Sequence, residues 1–245
     1  YHNYVQNLDL THLISPNIDI GIGGLLLTLL SIEKIKRNNF NYSKILYKLL
    51  SFQNNDGSWK QNCNVESDNL GRGLLEGVDG VLLTLCKMYE FNASYEIEEV
   101  IIKTIRSLDI KEQIEYRVSN SCDYSWGYGL TGHLICIARC IALGIGSPLN
   151  INYMEKLIEA ITDENIIDDH SLINGKMGRI LALQYIYYLF KYNSLIHSIN
   201  RLTKEVVEYI NANGKVNVTR HPGNFLLSPS LGLGYSSIPS IDFIK

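Results

Sequence analysis

The chain has 245 residues, of which 46% are hydrophobic and 19% charged, a balance that fits a folded domain and excludes a disordered one. Its net charge of −3 comes without a basic cluster, which argues against a nucleic-acid partner. The longest apolar stretches, such as residues 25–30, fall far short of the ~20 residues that a membrane span needs.

One short device organises the chain: Gly, two residues, Gly, then an apolar run with helical spacing. The copies are Gly21-Ile22-Gly23-Gly24, Gly77-Val78-Asp79-Gly80, Gly129-Leu130-Thr131-Gly132 and Gly175-Lys176-Met177-Gly178. They recur after 56, 52 and 46 residues, and a worn fifth copy is expected at Gly232-Leu233-Gly234. A period near 50 residues is that of a helical hairpin, so the spacing predicts an all-α array of about five hairpins.

The runs that follow each motif (residues 25–35, 81–88, 134–143 and 180–189) are apolar on more than one face. They are expected to be inner helices, packed on both sides. The segments between them (residues 42–52, 97–107, 153–161 and 198–210) are amphipathic and predict outer helices. Polar connectors fall at residues 54–68, 118–124 and 211–224, and the five prolines fall in loops on this reading. The paired glycines read first as close-packing devices. A functional reading is that several helix N-termini converge, and their free amides favour an anionic ligand.

The five cysteines are Cys63, Cys86, Cys122, Cys136 and Cys140, an odd number with no CxxC pair. That predicts reduced thiols and a cytoplasmic setting. The chain starts at Tyr1 without a signal-peptide pattern. The expectation is a single domain, residues 1–245, taken from a longer multi-domain protein.

Ser125-Trp126-Gly127-Tyr128-Gly129-Leu130-Thr131-Gly132 resembles the S-W-C-Y-G-x-P-G signature of the lanthionine synthetase C-like (LanC-like) cyclases. Ile173-Asn174-Gly175-Lys176-Met177-Gly178 falls on the family's C-H-G-x-x-G motif, and Glu76-Gly77-Val78-Asp79-Gly80 on an earlier H-G-x-x-G. The segment from Ser228 to Tyr235 is similar to its closing motif. The resemblance implies an α/α barrel (toroid) of helical hairpins that adds peptide cysteine thiols to dehydroalanine or dehydrobutyrine. Gly127 stands where the family's first zinc Cys belongs, and Ile173 and Asn174 where its second Cys and His belong. The expectation is therefore no metal and no cofactor, as in the zinc-free cyclase domains of class III lanthipeptide synthetases. The implied partners are a dehydrated precursor peptide and covalently linked kinase- or lyase-type domains.

Without a metal, a base or a positive field must supply the thiolate. The candidate catalytic residues are His133, Tyr128, Asp123 and Glu76, the last standing where the family has a His. Trp126, Gly129, Gly132 and Asn174 are the candidate peptide-binding residues. Each has a plainer reading: His133 and Tyr128 as packing residues, and Glu76 as a helix cap. Asp168-Asp169-His170 reads as a solvated loop, and His221 as a loop residue of no assigned role. Gln53-Asn54-Asn55-Asp56-Gly57-Ser58-Trp59 looks like the Q-x-x-x-G-x-W element of triterpene-cyclase toroids, but the chain has no D-x-D-D acid. The alternatives to a cyclase are a non-catalytic peptide-binding scaffold and a toroid acting on a glycan or isoprenoid.

Overall fold

The computed structural model describes residues 9–36, 42–62, 70–108, 123–146, 149–166 and 169–213. Among them are eight helices and no strand. They are α1 (Ile22–Lys36), α2 (Ser43–Leu50), α3 (Val78–Phe91), α4 (Tyr95–Ser107), α5 (Leu130–Ala142), α6 (Leu149–Thr162), α7 (Lys176–Phe190) and α8 (Leu195–Asn213). Cys63, Cys122, Asp168, His221 and the fifth glycine copy lie outside the described residues.

The helices fall into two compact units. The first holds α1–α4; the second holds α5–α8 together with Arg72–Leu74. In the first, α1 packs on α3, α2 on α1 and α4 on α3. In the second, α5 packs on α7, α6 on α5 and α8 on α7. Each unit is thus two hairpins joined through their inner helices.

The burial pattern explains the layering. Every residue from Val78 to Cys86 in α3 is buried, as is every residue from Leu130 to Ala138 in α5. A helix without a polar face needs cover on more than one side. The outer helices bury one stripe only: Ile45 and Leu49 in α2, and Ile97, Ile101, Thr104 and Ile105 in α4. Each fully buried Leu or Ile contributes about 1.5–3 kcal/mol.

The Gln53–Trp59 element is structural. Asp56 Oδ1 accepts from the Ser58 N–H at 2.9 Å and from Ser58 Oγ at 2.7 Å, and these bonds hold the Asp56 carboxyl below the usual range. Trp59 Nε1 and Gln53 Nε2 both donate to Thr104 Oγ1, at 3.0 and 3.1 Å, which docks the loop on α4.

The paired glycines have a single physical cause. A Cβ on Gly21, Gly24, Gly129, Gly132, Gly175 or Gly178 would come within 3 Å of the carbonyl oxygen six residues upstream: Ser15, Ile18, Asp123, Trp126, Asp169 or Leu172 respectively. The N-cap backbone at Gly77, Gly129 and Gly175 is extended and open to any residue. At Gly129 and Gly175, then, it is the close approach that demands glycine. The loop before α1, α5 and α7 wraps around the helix's first turn, and only hydrogen fits between them.

Candidate functional site

The wrapped loops also settle the fate of the helix N-termini. The first helical N–H donates to the carbonyl seven residues upstream in all four cases: Ile22 to Ser15 at 3.0 Å, and Val78 to Gly71, Leu130 to Asp123 and Lys176 to Asp169 at 2.9 Å. In α1 the next two amides are also taken, Gly23 by Pro16 at 3.2 Å and Gly24 by Asn17 at 3.3 Å. The expectation of free amides for an anionic ligand is corrected here: these leading amides are spent on the loops that precede them.

Within each unit the two loops are tied together by the same pair of bonds. In the first, the Ile18 and Asp19 N–H groups both donate to Leu75 O at 3.1 Å. In the second, the Trp126 and Gly127 N–H groups donate to Ile173 O at 2.8 and 3.0 Å. Side chains lock three of the four loops. Asp123 Oδ1 accepts from the Ser125 N–H at 2.8 Å, and Ser125 Oγ from the Tyr128 N–H at 3.1 Å. Asp169 Oδ1 accepts from the Ser171 N–H at 2.8 Å, and Ser171 Oγ from the Asn174 N–H at 3.2 Å. Ser15 and Asn17 play the same parts for Asn17 and Ile20.

The residue just before each N-cap glycine stands at the tip of its loop, and in three of the four its N–H is the donor of a locking bond. These tips are Ile20, Glu76, Tyr128 and Asn174. Ile20 and Glu76 are exposed, and Tyr128 and Asn174 are half-buried. Three of them carry polar groups expected to matter from sequence; Ile20 does not. In the first unit Asp19 sits beside the tip, and burial pushes its carboxyl above the usual range.

The remaining candidates divide. Asp123 is exposed, and one of its carboxylate oxygens serves the loop turn. Trp126 is 2% exposed, and its Cβ and carbonyl pack on the first turns of α7 and α5, at Gly178 and Gly132. Gly129 and Gly132 are close-packing positions. His133 has no exposed surface. Its Nε2 lies 2.7 Å from Tyr153 Oη on α6 and 3.0 Å from Arg72 Nη1. Sequence reasoning missed both partners. For Arg72 the signal was a cation followed by a glycine, Gly73, with φ +122. For Tyr153 it was a phenol on the buried stripe of an amphipathic helix.

The backbone bond between Gly127 and Ile173 brings together the positions at which a family-type zinc would be held. They carry a hydrogen and an alkyl group, with the Asn174 carboxamide next to them. Zinc needs thiolate, imidazole or carboxylate donors, so these residues do not fit it. Among the described residues no group of three His, Cys, Asp or Glu side chains converges as a metal site, and no helix is long and apolar enough to cross a membrane.

A family model described as lanthionine synthetase C-like protein matches residues 11–237. No curated protein matches the chain. Among solved structures, a nisin cyclase is similar with a TM-score of 0.60 at 17% identity, covering 98% of this chain and 67% of that one. At that identity the likeness is one of fold, and it agrees with the helical-hairpin reading.

Proposed function

Because the chain belongs to the lanthionine synthetase C-like family, we propose that it binds a dehydrated precursor peptide at the loop tips of its second unit and promotes thioether ring closure without zinc. The observation that carries this reading is the tied loop pair at residues 123–129 and 169–175. It closes its own backbone and presents Tyr128 and Asn174.

The chemistry is a Michael-type addition. A peptide cysteine has a pKa near ~8.5, so its thiolate costs about 2 kcal/mol at neutral pH. After sulfur adds to the β-carbon, the α-carbon needs a proton. The Tyr128 phenol is the proposed donor, and the Asn174 carboxamide the proposed hydrogen-bonding partner of the peptide backbone. The proposed setting is the cytoplasm, alongside kinase- or lyase-type domains that dehydrate the peptide. Cys86, Cys136 and Cys140 are buried and in no disulfide, which supports a reducing compartment.

A second reading is supported by the donor set at Gly127, Ile173 and Asn174. On it, the chain is a non-catalytic peptide-holding module. The glycan or isoprenoid reading has no observation in its favour, since Gln53 and Trp59 are spent on docking to α4.

The test is to incubate the chain with a pre-dehydrated, cysteine-containing peptide and follow free thiols against a no-protein control. Thiol loss faster than the control supports the cyclase. Peptide binding by fluorescence anisotropy without faster thiol loss supports the holding module.

A further inference from the structure

One tip of the second unit carries a chemistry that the proposed reaction does not use. Asn174 and Gly175 form an Asn-Gly pair. In such a pair the glycine nitrogen can attack the asparagine carboxamide carbon, and no Cβ on the glycine stands in the way. This is one route by which asparagine is thermolabile. The chain has four pairs of this general kind: Asp56-Gly57, Asp79-Gly80, Asn174-Gly175 and Asn213-Gly214.

The structure separates these pairs by what holds their reacting groups. The Gly57 N–H donates to Asn54 O at 3.0 Å, and Asp56 Oδ1 is held by the Ser58 N–H and Oγ. The Gly80 N–H donates to Gly77 O at 3.1 Å in the first turn of α3, where Asp79 has no exposed surface. Asn213 Nδ2 donates to Tyr209 O at 2.9 Å, and Gly214 lies outside the described residues. Asn174 and Gly175 differ from all of these. Among the described residues neither the Asn174 carboxamide nor the Gly175 N–H makes a hydrogen bond, and Asn174 is tied only through its own N–H, to Ser171 Oγ at 3.2 Å. The matching amide of the neighbouring loop, the Gly129 N–H, donates to Ser125 O at 3.2 Å. Gly175 is buried, so its N–H is a donor without an acceptor, and closing an imide removes that donor. Asn174 is half-buried and so meets solvent.

We infer that Asn174 is a site of spontaneous deamidation, which turns the carboxamide of this tip into a carboxylate. The Gly175 nitrogen bonds to Asn174 Cγ, the Cγ–Nδ2 bond breaks, and ammonia leaves with the amide proton. Water then opens the imide at either carbonyl and gives aspartate or isoaspartate. The net change is water in and ammonia out, with no oxidant or reductant. The product tip bears a negative charge, as Glu76 does at the matching place in the first unit. The isoaspartyl form also adds a carbon to the main chain beside Gly175, where a Cβ would already press on Asp169. The modification stands on the loop's own geometry. Its consequence rests on the cyclase reading above: a carboxylate has no N–H to give the peptide backbone, so peptide binding falls as the protein ages.

The experiment incubates the folded full chain in warm, mildly alkaline buffer beside the same chain unfolded in urea, with peptide mapping by mass spectrometry over time. The Asn174 peptide of the folded chain should gain the mass of an amide-to-acid exchange at a rate within about tenfold of the unfolded chain, a barrier difference of at most about 1.4 kcal/mol. Isoaspartate should not accumulate at Asp56 or Asp79 while the chain is folded. N174Q should keep its mass, because its longer side chain must close a larger ring. Protection of Asn174 in the folded chain by more than about tenfold, or isoaspartate at Asp56 as fast as at Asn174, overturns the assignment. The consequence is read separately, by anisotropy of a labelled peptide with alanine in place of each dehydro residue. N174D should bind it about tenfold more weakly than wild type. Equal binding by N174D, or no binding by wild type, overturns the peptide role of Asn174 and leaves the deamidation standing.

Discussion

In the first unit the tips of the paired loops are Ile20 and Glu76; in the second they are Tyr128 and Asn174. Everything beneath the tips matches: the glycine at the N-cap, the glycine three residues on, the N–H to the carbonyl seven residues back, and the two amides shared on one carbonyl of the neighbouring loop. The exception is instructive. The loop from Gly71 to Gly77 has glycine at both positions where the others carry a locking side chain, and still delivers the Val78 N–H to Gly71 O at 2.9 Å. Backbone contact with the helix start suffices to form the loop, and side-chain locks tighten it. The tip residue enters the locks through its N–H alone, which any residue but proline supplies, so its side chain is where the two units differ in chemistry.

The largest effects should come from the shared layer, and they should be equal in the two units. Trp126→Ala removes a fully buried ring and is expected to cost about 3–5 kcal/mol in urea unfolding. Gly24→Ala in the first unit and Gly132→Ala in the second press a Cβ into a backbone carbonyl, and each should cost about 2 kcal/mol. Gly71→Ala, whose Cβ meets nothing within 4 Å, should be close to neutral. A large gap between the Gly24 and Gly132 variants would break the equivalence of the units.

Next come the locks. Ser125→Ala and Ser171→Ala each remove an acceptor from a loop amide, and each should lower stability by about 1 kcal/mol. Thermal unfolding midpoints check this. If both variants match wild type, the loops stand on backbone contact alone, as the Gly71–Gly77 loop does.

The smallest effects are electrostatic and differ in sign. Burial raises the folded-state pKa of Asp19, which disfavours its ionised form. That penalty is absent at pH values below the unfolded carboxyl's pKa and grows as pH rises towards the folded one. Asp19→Asn should therefore raise the midpoint at pH 7 and leave it unchanged at pH 3. Glu205 is the opposite case. Burial pushes its carboxyl up, but Lys176 Nζ at 2.8 Å, with Arg201 and Arg179, outweighs that and holds it low. Its contribution is present above the unfolded pKa and lost as pH falls through the folded one. Glu205→Gln should cost about half a kcal/mol at pH 7 and nothing at low pH.

Much of the shared layer was legible in the sequence. The glycine spacing gave the hairpins, and the doubly apolar runs separated α1, α3, α5 and α7 from the outer helices. The site was less legible, for physical reasons. The first amide of each helix, expected to be free, is occupied, and in α1, α5 and α7 the wrapped loop that demands glycine is what delivers the carbonyl to it. Asp123 resembled a base because of its place in the signature, and only Asp169, at the same place in the next loop, reveals it as a turn residue too. His133 was visible as a lone histidine on an apolar helix. Its link to Arg72 runs over 61 residues and to Tyr153 over 20, beyond the reach of any local pattern.

The central claim is that the chemistry sits on the second unit's tips and not on the scaffold it shares with the first. The direct measurement is the rate of free-thiol loss from a pre-dehydrated peptide with wild type, Tyr128→Phe, Asn174→Ala and Ile20→Ala, against the spontaneous rate. The account predicts that wild type outruns the spontaneous reaction. It predicts that the Tyr128 and Asn174 variants fall by about tenfold or more while Ile20→Ala stays within about twofold of wild type, since the proposal assigns the peptide to Tyr128 and Asn174 and not to Ile20. Loss of activity in Ile20→Ala equal to that in Tyr128→Phe, or full activity in Tyr128→Phe and Asn174→Ala, would contradict it.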